Sequence, residues 1–292
     1  MGVQEEMIRR TTIEKGNNRM GRLKDRIAGK YATGVDLPVS SAVRRFQIFS
    51  RKIRGKKESM VQATSLPRVG WRTVFPSGAV YLLEKEKHNG NVRLAELGVL
   101  CHAASRCPQG RNVFEIGTFD GRTTLNLARN VPGDCRVFTL DLPPDHETSY
   151  SLEPGERHFV EKPESGKRYK NCLPEYRAYA GRIKQLLGDS ASFDFSDYLG
   201  TCGLVFVDGS HAYEYAWKDS ITALELVTPG GVIVWHDYGV WEGVTRALEQ
   251  LETERGLGLL HIKGTSLVVL KDAPGPSGAR GPHKQEFVRP QP

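Results

Sequence analysis

The run VFEIGTFDGRTTLNLA, from Val113 to Ala128, does most to limit what this chain can fold into. Val113, Phe114 and Ile116 are strand formers, and Gly117 ends them where the backbone must turn without a Cβ in the way. Thr118-Phe119-Asp120 makes a loop, and Gly121 supplies a second bare backbone position. Thr124, Leu125, Leu127 and Ala128 then begin a helix whose first N–H groups lack intrahelical partners and point back at the turn. A buried strand, a glycine turn and a helix start form the corner that a parallel sheet uses as a ligand cradle. Glu115, two residues before the first glycine, adds a carboxylate able to accept from a loop N–H or meet a ligand cation. The same run also serves as a plain strand-to-helix packing turn, so its neighbours must decide.

Those neighbours alternate strand and helix. Asn91–Arg106 has the apolar spacing of a helix buried on one face, stopped by Pro108 and Gly110. Strands are expected at Arg136–Asp141, at Arg182–Leu187, at the wholly apolar Cys202–Val207, and at Val232–Trp235 after a Pro229-Gly230-Gly231 turn. Helices are expected at Tyr213–Leu226 and Gly243–Glu254. Leu259–Ile262 and Ser266–Leu270, joined through Lys263-Gly264-Thr265, read as a closing antiparallel hairpin. The pattern predicts an α/β, doubly wound, Rossmann-like sheet of seven strands, mostly parallel, over residues 68–271. Residues 143–180 have little hydrophobic periodicity and read as a lid insertion. In such sheets ligands sit beyond the carboxyl ends of the strands, and Glu115, Asp141, Asp189, Asp208, His236 and Asp237 all fall at or just past those ends.

Charge is unevenly spread. Residues 1–60 hold 15 Lys and Arg against 6 Asp and Glu, which leaves 26 against 28 in the remainder. The basic character therefore belongs to an arm, residues 1–67, expected to be partly helical or disordered. A polybasic arm is suited to RNA, an acidic surface or an acidic partner, or is simply solvated. Residues 272–292, rich in Pro, Gly and charge, read as a disordered tail. No stretch has the length and apolarity of a membrane span, and Glu5 and Glu6 spoil a leader peptide, so a cytoplasmic location is expected. Five scattered cysteines without a CxxC pair suggest buried thiols rather than disulfides or a zinc site.

Taken in order, EIGTFDGRTT, TLDLP, LLGDS, VFVDGSH and PGGVIVWHDY resemble class I S-adenosylmethionine-dependent methyltransferases, in particular the small-molecule O-methyltransferase branch with catechol-type and bacterial sugar enzymes. The resemblance covers about residues 90–270. It implies that Gly117 and Gly121 bring backbone against the methionine part of the cofactor, that Glu115 helps hold its amino group, and that Phe119 and Thr123 flank it. Asp141 would take the ribose hydroxyls, Asp189 and Ser190 would meet the adenine edge, and Asn91-Val92 would close over the methionine end. His211, standing where catechol-type relatives place a lysine, is the candidate base, or else a helix cap; His236 is the alternative base. Asp208 and Asp237 fall on metal-binding carboxylate positions, with His236 replacing an acid, so Mg²⁺ or a softer divalent ion is open, as is a metal-free site in which Asp208 orients His211 or the substrate. The implied acceptor is a small sugar, phenol or secondary metabolite, with a homo-oligomer left open. Two other readings stand beside it: an RNA-directed methyltransferase or nucleic-acid adaptor using the arm, and an NAD(P)-dependent dehydrogenase. The latter lacks the middle glycine of G-x-G-x-x-G and leaves the terminal hairpin unexplained.

Overall fold

A computed structural model describes residues 64–276 apart from 77 and 145. The basic arm to residue 63 and the tail from 277, with the partners expected of the arm, lie outside the described residues. The strands are β1 (Arg68–Val69), β2 (Asn112–Ile116), β3 (Val137–Asp141), β4 (Ile183–Leu187), β5 (Cys202–Val207), β6 (Val227–Trp235), β7 (Leu260–Ile262) and β8 (Val268–Leu270). The helices are α1 (Trp71–Val74), α2 (Leu94–Ala104), α3 (Arg122–Asn130), α4 (Arg157–Val160), α5 (Lys167–Lys170), α6 (Arg177–Ala180), α7 (Tyr213–Leu226) and α8 (Glu242–Arg255).

One sheet runs in the order β1-β7-β8-β6-β5-β2-β3-β4. Strands β4, β3, β2, β5 and β6 are mutually parallel, and β8 lies antiparallel to both β6 and β7. The doubly wound α/β fold with a closing hairpin is therefore present. The expected seven strands become eight, because the two-residue β1 pairs in parallel with β7. Folded structure also begins before residue 68: Leu66 is buried, its N–H donates to the Tyr238 hydroxyl, and Pro67 O accepts from His261. It ends later than expected too, since the Ala273 N–H donates to Gly231 O and Gly230 donates back to Ala273 O. Those bonds let β6 run through Pro229-Gly230-Gly231, where a turn was expected, with a register shift against β5 between Cys202 and Leu204.

The sheet separates two cores. Phe114, Ile116, Val205 and Val207 face α7 and α8, while Val113, Leu204 and Phe206 face α2 and α3. Alternation along β2 puts Glu115 on the α3 side with Val113. After β2 the chain turns outward to β3 and β4, then returns to β5 on the other flank. The carboxyl ends of β2 and β5 thus mark the topological switch point, and the register pairs Ile116 with both Leu140 and Val207, and Val207 with Trp235. Four strand ends stand level there. Of the five cysteines, Cys101, Cys107, Cys135 and Cys202 are buried thiols as expected, whereas Cys172 is half-exposed.

Candidate functional site

The glycine turn is built as the sequence implies, though for partly different reasons. Gly117 has φ +100°, and a Cβ there would lie 2.0 Å from the Asp208 carbonyl oxygen. Close approach of the β2 and β5 ends is enough to require glycine at this position. Gly121 has φ +82°, and its Cβ would meet the Tyr169 ring at 2.6 Å. Between them Phe119 holds φ +49°, an unusual value for an aromatic residue, found here beside a rim of ionisable groups.

Asp141, at the end of β3, accepts the Phe119 N–H at 3.0 Å, so the turn and the expected ribose acid are joined directly. Its oxygens also meet the lid residue Lys162, with Nζ 3.0 Å from each. Burial pushes the Asp141 carboxyl up, against the pull of Lys162. Asp189 accepts from the Ser149 and Ala191 N–H groups and from the Tyr215 hydroxyl. Burial works against its charge and these bonds outweigh it, holding the carboxyl low. Ser190 lies against Asp219, which is fully buried and pushed up to about 7 by that burial.

Three expected cofactor residues, Glu115, Asn91 and Val92, make contacts within the protein itself. Glu115 lies beneath the turn: it is wholly buried, and its Oε2 accepts from Thr139 at 2.6 Å and Thr124 at 2.5 Å. Burial pushes its carboxyl up to about 8, and the side chain lies in the core below the rim. Asn91 is engaged with the Asp120 carboxylate and the His88 N–H, and Val92 is core whose carbonyl accepts from the buried Arg122. Both tie the preceding loop to the glycine turn. Thr123 is buried in the first turn of α3.

On the other flank, the loops after β5 and β6 bring His211, Asp208, His236 and Asp237 together. Asp237 adopts φ +65°, which swings its carboxylate between the two imidazoles: Oδ2 is 2.8 Å from His211 Nε2 and 3.3 Å from His236 Nδ1. His236 Nδ1 is also 2.9 Å from Asp208 Oδ1. Burial disfavours charge throughout; pairing outweighs it at Asp237, His211 and His236, and burial wins at Asp208. Asp237 is held far below the carboxylate range by the two histidines, and Asp208 is raised by its burial. His211 is raised to about 10, its desolvation outweighed by Asp237 and by Glu156, whose Oε1 is 3.2 Å from Nδ1. The His211 ring stacks on Trp241 at 4.2 Å. The helix-cap alternative for His211 is therefore not what its side chain does.

Sequence reasoning missed two carboxylates of this cluster. Glu96, in the first turn of α2, is 1% exposed and stands 3.3 Å from His236 Nε2 while accepting from the Ser266 N–H and hydroxyl, the Arg93 N–H and the Arg93 guanidinium. Burial raises its carboxyl, but His236 and Arg93 outweigh that and hold it well below the usual range. Glu156 arrives from the lid. The only sequence signal for Glu96 is its spacing from Arg93, which reads as a helix start; Glu156 carries none.

The donor set suits a divalent cation. Asp208, His236 and Asp237 each offer one ligand atom, all within 4.8 Å of one another. Two carboxylate oxygens and an imidazole nitrogen form a mixed set that fits a borderline ion such as Mn²⁺ better than an all-oxygen Mg²⁺ site.

The doubly wound sheet with a terminal antiparallel strand pair, the glycine turn after its first central strand and the acids on the next strand ends are the arrangement that the resemblance implies. Residues 114–238 match the family described as a methyltransferase domain. Solved structures to which the chain is similar include cofactor-bound Rv0187 from MTB, with 21% identity, 65% of this chain and 85% of that one covered, and a TM-score of 0.46. The O-methyltransferase TomG from Streptomyces achromogenes, involved in tomaymycin synthesis and solved with SAM, has 21% identity, 66% and 93% coverage, and a TM-score of 0.44. An O-methyltransferase from Bacillus cereus in complex with SAH has 18% identity, 63% and 84% coverage, and a TM-score of 0.42. No curated protein matches the sequence. Among the described residues no helix is long and apolar enough to cross a membrane.

Proposed function

We propose that this methyltransferase domain binds S-adenosylmethionine over the turn between β2 and α3 and transfers its methyl group to a hydroxyl oxygen of a small acceptor. The observation that carries this reading is the direct bond between the Phe119 N–H and Asp141, which places the glycine turn and an acid suited to two ribose hydroxyls in one cradle. The dehydrogenase alternative is not favoured, since the matched family is a methyltransferase domain and the hairpin pairs with β6 as an integral part of the sheet.

When bound, S-adenosylmethionine would supply an electrophilic methyl on a sulfonium, the acceptor oxygen bonding to that carbon as the S–CH₃ bond breaks and S-adenosylhomocysteine leaves. The residues have two tasks. Asp141 and the Phe119 turn hold the adenosyl end, while Asp208, His236 and Asp237 line the side where an acceptor would approach. His211 takes the acceptor proton at Nδ1 once Glu156 has withdrawn, with Asp237 remaining on Nε2 to fix the ring. The three convergent ligand atoms favour a second element: Asp208, His236 and Asp237 would hold a divalent cation, whose chemistry would be to lower the pKa of the acceptor hydroxyl.

The test is a screen of sugar, phenol and other hydroxylated small molecules for methyl transfer, followed by His211→Ala. The variant should bind S-adenosylhomocysteine like the wild type and lose about a hundredfold or more in turnover. Turnover within a factor of about three of wild type removes His211 from the chemistry.

A further inference from the structure

The segment from Glu156 to Lys162 touches the places that the cofactor and the base are expected to use. Lys162 Nζ sits 3.0 Å from both oxygens of Asp141, with the two side chains only 11% and 9% exposed. Phe159 lies edge-on to Phe119 at 6.0 Å and to His211 at 6.1 Å, and a Cβ on Gly90 would come within 2.9 Å of its ring. Glu156, 2% exposed, accepts the His211 N–H at 2.8 Å. The cavity bounded by Asp208, His211, His236 and Asp237 amounts to about 20 Å³, room for a single water.

The next part of the lid is fastened differently. Gly166 and Arg168 donate N–H groups to the carbonyls of Phe119 and Asp120, each at 2.8 Å. Tyr169 donates to Gln185, Gln185 to Thr118, and Thr118 shares a bond with Thr139, which donates to Glu115. This polar chain runs into the core and uses no group that the ligand needs. Gly166, the first residue of the fastened part, has φ +73°, a conformation that glycine adopts without a Cβ penalty. One half of the lid is rooted in the sheet, and the other half rests on the rim.

We propose that residues 156–162 are an internal competitor for the cofactor: Lys162 holds Asp141 in place of the ribose hydroxyls, Phe159 fills the space beside Phe119, and the segment must swing away before S-adenosylmethionine enters. The inference rests on the cofactor reading above. Its consequence is quantitative, because the measured dissociation constant equals the intrinsic one divided by the fraction of molecules whose cradle is open. Removing the Lys162 charge leaves Asp141 buried without its cation in the closed state, which disfavours closure.

Calorimetric titration of the full chain with S-adenosylhomocysteine tests this with Lys162→Met and Lys162→Arg. Lys162→Met should bind about tenfold more tightly than wild type, and Lys162→Arg should keep the wild-type affinity. A gain of affinity cannot arise from damage to the fold. Wild-type binding that Lys162→Met leaves equal or weaker overturns the competitor. Absence of binding by every form at millimolar ligand overturns the cofactor reading itself, a separate and distinguishable result.

Discussion

Replacing Glu96 by Gln changes one oxygen to an amide nitrogen and removes one charge, and the surroundings of Glu96 determine what that costs. Its Oε1 accepts from the Ser266 N–H at 2.9 Å and the Ser266 hydroxyl at 3.0 Å, while Oε2 accepts the Arg93 N–H at 2.8 Å and stands 3.3 Å from His236 Nε2. A glutamine that keeps its oxygen on Ser266 turns an NH₂ group toward two other donors; flipped, it turns that group against the Ser266 N–H. Either way about two buried donors lose their acceptor, at roughly 1–3 kcal/mol each, for a total of about 2–6 kcal/mol. Arg93→Met is the control: its guanidinium is half-exposed, so losing that ion pair should cost under about 1 kcal/mol. Urea unfolding of the three proteins gives the comparison through midpoints at constant slope. Turnover of Glu96→Gln should also fall by about tenfold or more, because His236 loses the group that orients its ring. A stability change within about 0.5 kcal/mol of wild type would refute the reasoning, since it would mean that Glu96 is not the common acceptor of this corner.

Glu115 predicts a pH dependence. Its folded pKa of about 8 lies above the ordinary value of 4.5, so between those pH values the folded chain keeps a proton that the unfolded chain has lost. Stability should fall as pH rises from about 5 to 8, and Glu115→Gln, neutral throughout, should gain on the wild type by a few kcal/mol over that range, on the order of 1.4 kcal/mol per pH unit. Parallel urea midpoints of the two proteins across that range would contradict it. For the cation, exhaustive chelation should lower methyl transfer by about tenfold or more, with Mn²⁺ restoring it better than Mg²⁺. Full activity after chelation removes the ion from the reaction.

Much of this architecture is legible along the chain because it depends on local pattern. Cys202–Val207 and Tyr213–Leu226 fall where periodicity puts them, the first buried on both faces and the second amphipathic. The rim is legible for a topological reason: parallel strands end on one side, so Asp141, Asp208 and His236-Asp237 had to fall along one rim. What stayed hidden depends on approach through space. Glu115 alternates with Phe114 and Ile116 and so enters the α3 side of the core, where Thr124 and Thr139 receive it. Glu96 reaches His236 across 140 positions of sequence. Lys162 and Glu156 lie in a lid without periodicity, and their partners follow only from how Gly166 and Tyr169 seat that lid on the turn. The two-residue β1 is too short to leave a pattern.

The most direct test of the central claim is the affinity of S-adenosylhomocysteine for wild type and for Asp141→Ala, measured by calorimetry at one pH and salt concentration. The cradle formed by Asp141 and the Phe119 turn predicts saturable binding to the wild type. It also predicts a loss of about tenfold to a hundredfold in the variant, even though Lys162 is released from Asp141 at the same time. Equal affinities for the two proteins would contradict the assignment of this strand end to the cofactor.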